Sequence, residues 1–150
     1  MTKSDVLVVG AGPTGLVLAL WLAKLGVDVR IIDKTAEPGT TSRALAVQAR
    51  TLELYSQLDL AGEVVARGHK DPAVNLWVRG KKAARLPFET VGEGLTPYPF
   101  LHIFPQDQHE RLLIERLATF GGAVERSTEL TGFEDAGDRV IARFIVAQTP

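Results

Sequence analysis

Apolar and polar positions along the chain fall into short runs whose period changes repeatedly, the pattern of alternating strands and helices. Val6-Leu7-Val8-Val9 is continuous and mostly β-branched, which predicts a parallel strand covered on both faces. A glycine-rich turn follows. Residues 13–25 are helix formers with few polar side chains, opened by Pro13 and closed by Gly26, and predict a helix buried nearly all round. Residues 27–32 alternate before two isoleucines and predict a second strand that closes on Asp33. Together these make one β-α-β unit in residues 5–33.

Downstream the pattern is mixed. A polar loop over residues 34–42 leads to an expected helix over 50–60, with Leu54 and Leu58 at helical spacing, and a short helix over 61–67. Alternation across residues 75–88, interrupted by Gly80-Lys81-Lys82, predicts an antiparallel hairpin. A loop over 92–99 precedes a strand over 100–104. Leu113, Leu117 and Phe120 share a face of a helix over 107–120 that Gly121-Gly122 stops. Strands are expected over 123–126, 129–134 and 140–146, with a turn at 135–138. No internal repeat or low-complexity tract is present, and the mixture predicts an α/β domain with a parallel sheet and an inserted antiparallel β ribbon.

Composition narrows the function classes. The 150 residues carry 17 Lys and Arg against 18 Asp and Glu, so no field of either sign exists to recruit nucleic acid or anionic lipid. With 45% hydrophobic and 23% charged residues the chain reads as one globular domain spanning 1–150. Cysteine is absent, which excludes disulfides, thiolate metal sites and a cysteine nucleophile, and suits a reducing, cytoplasmic setting. The stretch after Lys3 imitates a signal peptide, but Asp5 cancels its charge and Gly10, Gly12, Pro13 and Gly15 break it. A soluble protein without a membrane partner is expected.

Gly10-Ala11-Gly12-Pro13-Thr14-Gly15 satisfies G-x-G-x-x-G directly after a strand and opens a helix. Gly10 suits the tight turn, Gly12 the approach of a pyrophosphate to the backbone, and Gly15, with Ala19 one turn later, close helix–strand packing. The helix N-terminus offers unpaired N–H groups and partial positive charge to that anion. Asp33, 18 residues beyond Gly15, can accept hydrogen bonds from adenosine ribose hydroxyls and argues against a 2′-phosphate there. A Rossmann-like dinucleotide site is expected, and FAD and NAD(P) remain open because both carry the ADP half that this fingerprint reads. His69, His102 and His109 have no metal-ligand spacing and are expected in loops or at the surface. Trp21, Trp77 and Tyr98 are expected to pack, and Lys81-Lys82 is too small for a nucleic-acid patch. No metal site and no catalytic residue are assigned.

Further stretches occur in order: Thr41-Ser42-Arg43-Ala44, Gln48-Ala49-Arg50-Thr51-Leu52-Glu53-Leu54, and Phe104-Pro105-Gln106 before Glu110-Arg111-Leu112-Leu113. With the glycine turn they make the chain resemble, along essentially its whole length, the start of the class A single-component FAD-dependent aromatic hydroxylases. That family includes para-hydroxybenzoate hydroxylase, phenol hydroxylases and polyketide hydroxylases. The resemblance implies FAD as cofactor, with Gly10, Gly12, Pro13, Thr14 and Gly15 under the pyrophosphate and Asp33, where the family more often has Glu, on the ribose. It further implies Arg43 near the flavin and phosphates, Gln106 on the ribityl chain, and Lys34 and backbone atoms of Leu130 beside the adenosine.

The family uses NAD(P)H as a transient co-substrate to reduce the flavin and places oxygen from O2 on a phenolic or polyketide ring. Its Asp-Gly and Gly-Asp segments and its substrate-binding sheet do not occur in these 150 residues. The expectation is therefore a truncated, N-terminal FAD-binding portion that does not hydroxylate alone, acting with the remainder of an enzyme or as a homo-oligomer on a small aromatic substrate. An NAD(P)-dependent dehydrogenase domain and a cofactor-free structural remnant are the alternatives.

Overall fold

The computed structural model describes residues 3–39, 46–71, 73–88 and 92–147. In chain order the elements are β1 (Val6–Val9), α1 (Pro13–Lys24), β2 (Val29–Ile32), β3 (Ala46–Val47), α2 (Ala49–Ser56) and α3 (Ala61–Arg67). They continue with β4 (His69–Asp71), β5 (Ala73–Val78), β6 (Lys81–Pro87), β7 (Leu101–Ile103), α4 (Gln106–Thr119), β8 (Val124–Glu125), β9 (Thr128–Asp135) and β10 (Val140–Val146). The chain divides into two compact units, one of residues 1–40 and 110–150, the other of residues 41–109.

In the first unit β1, β2 and β8 form a parallel sheet in the order β1-β2-β8. Val6 stands opposite Val29 and Val9 opposite Ile32, while Ile31 and Ile32 pair with Val124 and Glu125. This register brings the C-terminal ends of β1 and β2 level, so the glycine turn and Asp33 emerge side by side. α1 packs on β1 and β2. Its buried side chains are Leu16, Ala19 and Leu20, whereas Leu18 is 48% exposed, so the expected all-round burial of this helix is not found. A single face against the sheet suffices to hold it. Arg30 locks β2 to β8 through paired bonds to Glu125, Nε to Oε1 at 2.5 Å and Nη2 to Oε2 at 2.6 Å, and its guanidinium lies 4.5 Å from the Phe144 ring centroid. β9 and β10 form the antiparallel hairpin expected from their alternation.

The second unit holds a small antiparallel sheet in the order β3-β7-β4 and the separate β5-β6 hairpin, where sequence alternation places it. β3 and β4 have no sequence signal, being two and three residues long and partly polar. The helix expected over 50–60 ends at Ser56: Asp59 takes a left-handed φ of 57°, and the Leu60 N–H donates back to the Tyr55 carbonyl at 2.9 Å. Its buried side chains are Leu52 and Tyr55; Leu58 is buried from the turn beyond the helix, and Leu54 is half-buried. In α4 the buried apolar residues are Leu112, Leu113 and Leu117, and Phe120, one residue beyond the helix end at Thr119 and before Gly121 at φ 78°, is 42% exposed.

Two histidines depart from their expected surface positions. His102 and His109 are both buried, and only His69 is exposed. His102 shares Nε2–H with the Val64 carbonyl at 2.8 Å and lies between the rings of Phe100 and Phe104. His109 pairs through Nε2 with the Tyr55 hydroxyl at 2.7 Å. Burial pushes the Tyr55 phenol well above its ordinary range, so it stays protonated. No group of metal-ligating side chains and no helix long and apolar enough to cross a membrane occurs among the described residues.

Candidate functional site

The β1-to-α1 turn is built by three glycines with different reasons to be glycine. Gly10 adopts φ 101°, a conformation costly for any residue with a Cβ, and donates its N–H to the Ile32 carbonyl at 2.8 Å. Gly15 has no room: a Cβ built there would stand 2.0 Å from the Gly10 carbonyl oxygen. Gly12 is unlike both. Its φ of −74° and ψ of 178° suit any residue, and a Cβ on it would meet nothing within 4 Å. The fold does not require glycine at 12, so its smallness leaves open space beside the helix end.

That end is suited to an anion. Gly12 is the N-cap and accepts the Leu16 N–H at 3.0 Å, Pro13 occupies the first turn without needing a donor, and the first turn carries no acidic residue. The N–H groups of Thr14 and Gly15 lie where a helix has no internal acceptor for them.

Asp33 stands beside this turn. Its Oδ2 accepts the Ala11 N–H at 2.7 Å, and its Oδ1 accepts the Thr35 N–H at 2.8 Å and the Thr35 hydroxyl at 2.6 Å. Arg126 Nη1 lies 3.8 Å from Oδ1, and the Asp33 side chain is only 15% exposed. Burial would raise the carboxyl pKa, but the bonds from Thr35 and Ala11 and the Arg126 cation outweigh it and hold the group below the ordinary aspartate value. The result is an ionised acceptor with a fixed direction.

The site is stitched from distant segments. The Asp33 N–H donates to Glu125, the Thr128 N–H to Asp33 and the Ser127 N–H to Thr35, all through backbone carbonyls at 2.9 to 3.1 Å. Thr35 and Arg126 carried no local motif and were not expected here; Thr35 reaches Asp33 from two residues further along the chain, whereas Arg126 reaches it only because β8 lies beside β2. Lys34 is exposed directly after Asp33. Leu130 is half-buried on β9 opposite Phe144, two residues beyond Thr128. Gln106 opens α4 in the unit of residues 41–109, half-buried after Pro105. Arg43 and its Ser-Arg-Ala context lie outside the described residues.

Residues 3–149 match the family described as an FAD binding domain. The chain belongs to this family. Among relatives of the FAD-binding domain, 6-methylpretetramide 4-monooxygenase of Streptomyces rimosus is 45% identical over 92% of this chain. Aklavinone 12-hydroxylase of Streptomyces peucetius subsp. caesius is 35% identical over 93% of it. A solved ternary complex of aklavinone-11 hydroxylase with FAD and aklavinone superposes over 96% of this chain with TM-score 0.83 and 31% identity, covering 30% of that structure. The chain spans 25% and 31% of the two curated relatives' own lengths. The fold is thus the Rossmann-like one of FAD-dependent monooxygenases, and its cofactor is FAD.

Proposed function

We propose that this chain anchors FAD in an NAD(P)H-dependent monooxygenase that hydroxylates an aromatic, polyketide-type substrate. The observation that carries the anchoring is the unfilled space at Gly12, bordered by first-turn N–H groups and an ionised Asp33. Relatives named as a 6-methylpretetramide monooxygenase and an aklavinone hydroxylase support the substrate class.

The residues divide the work by charge. Gly12, Pro13 and Thr14 would hold the pyrophosphate against the helix end, and Gly10 and Gly15 keep that turn tight. Asp33 would accept a ribose hydroxyl, flanked by Lys34 and the backbone of Leu130, while Arg43 and Gln106 would serve the phosphate and ribityl portions. Bound flavin supplies the redox chemistry that no side chain here can provide. The chain's own contribution is to bind and orient, and no residue of it is assigned to the hydroxylation step.

Purified chain mixed with FAD, and separately with NAD, tests the anchoring. A visible flavin spectrum that survives desalting and a raised melting temperature are expected with FAD only. Binding of NAD without FAD would instead favour a dehydrogenase domain. A test of the reaction follows NAD(P)H consumption with an aromatic polyketide: no hydroxylated product is expected from this chain alone, and product formation by it would overturn that division of labour.

A further inference from the structure

Resting on the cofactor site assigned above, we propose that Arg126 is the positioning residue for the adenosine end, acting through the Thr35 hydroxyl to fix which oxygen of Asp33 receives the ribose. Arg126 Nη1 donates to Thr35 Oγ1 at 3.2 Å. A guanidinium has no acceptor, so this contact occupies a lone pair of the hydroxyl and turns its single hydrogen outward. Two acceptors stand in reach, Asp33 Oδ1 at 2.6 Å and the Glu37 carbonyl at 3.0 Å, and the closer, charged one receives it. With the Thr35 N–H on the same atom, Oδ1 is saturated. Among the described residues Oδ2 carries only the Ala11 N–H and keeps one lone pair for a ribose hydroxyl. Asp33 therefore receives the ribose through one oxygen.

The burial of Arg126 argues against a purely structural role. Its side chain is 18% exposed and its Nη2 is enclosed without a hydrogen-bond partner among the described residues. An enclosed, unpaired donor destabilises the fold, and an apolar side chain would fill the same space without that penalty. The turn that carries it is also costly, because Ser127 takes φ 52° without being glycine. What the cation adds is charge. It adds to the Thr35 and Ala11 bonds that hold Asp33 below the ordinary aspartate value, and it would offset the repulsion between that carboxylate and a bound pyrophosphate.

Wild-type chain, Arg126→Met and Thr35→Val are titrated with FAD, and with FMN, which lacks adenosine, between about pH 4 and about pH 8. Arg126→Met is expected to weaken FAD about tenfold at neutral pH, to move the acid limb of FAD binding to higher pH, and to leave FMN unchanged. Thr35→Val, in an exposed loop, is expected to weaken FAD in the same direction. An unmoved FAD affinity and acid limb, or equal weakening of FAD and FMN, would overturn the role of Arg126 while leaving the cofactor site standing. If Arg126→Met does not fold, Thr35→Val decides by the same results. A wild-type chain that binds no FAD at any pH would overturn the cofactor site and this inference together.

Discussion

A methyl group added at Gly15 would stand 2.0 Å from the Gly10 carbonyl oxygen and 3.2 Å from its carbon, a backbone group, and 3.4 Å from a methyl of Val8. Relief needs a separation of more than about 1 Å between α1 and the end of β1, a strain at the upper end of the roughly 1–3 kcal/mol of an overpacked site. At about 2–4 °C per kcal/mol for a chain of this size, Gly15→Ala should lower the melting temperature of the ligand-free protein by about 6–12 °C. Gly12→Ala should not. Its backbone angles accept alanine and its Cβ meets nothing within 4 Å, so the smaller entropy of the unfolded chain leaves stability unchanged or raised by up to about 1 kcal/mol. The methyl instead occupies the space assigned to the pyrophosphate and should weaken FAD at least tenfold, about 1.4 kcal/mol. Scanning calorimetry of both ligand-free variants, with FAD titration of Gly12→Ala, separates the effects. Full FAD affinity in Gly12→Ala, or destabilisation matching that of Gly15→Ala, would refute the division between a glycine kept for the ligand and one kept for the fold.

Three further outcomes follow from the same structure. Asp33→Asn should weaken FAD and flatten the acid limb of stability: the folded carboxyl lies below its ordinary value, so its contribution is present above pH 3.8 and is lost as pH falls through the folded pKa, which urea midpoints at successive pH values would record. Burial lowers the pKa of His102, against the Val64 carbonyl bond and with help from His69 and Lys70. Stability of the unit of residues 41–109 should therefore be complete above pH 6.5 and fall as pH drops below it, and His102→Phe should remove that slope in melting temperatures. Gly68→Ala would bring a Cβ to His102 Nε2, 2.3 Å away, and to the Ile103 carbonyl oxygen, 2.5 Å away, and should cost about 3 kcal/mol in a denaturant titration.

How much of this was legible in the sequence depended on how local each cause is. β1, α1 and β2 were readable because strand period, a proline-opened helix and a glycine stop act within a few residues, and so were the β5-β6 and β9-β10 hairpins. The glycine turn was readable for the same reason, since φ 101° at Gly10 is a property of one residue. Helix ends and faces were less so: the glycine stop at 121–122 was readable, but the end of the helix at Ser56 rests on the Leu60 N–H bond to Tyr55 and the left-handed Asp59, and the buried faces run through Leu52, Tyr55, Leu113 and Leu117 and leave Leu54 half-buried and Phe120 exposed.

The chain order alone determined that a dinucleotide turn followed by an acid would form, because spacing and residue type suffice for it. Only the tertiary structure decided what surrounds that acid. Asp33 meets Arg126, 93 residues later, because β8 pairs with β2 and the turn after it folds back onto Thr35. It likewise decided that His102 and His109 are buried, through bonds to Val64 and Tyr55 that lie 38 and 54 residues away. Burial, charge pairing and the direction of a lone pair are properties of neighbours in space, and local sequence pattern specifies neighbours only along the chain.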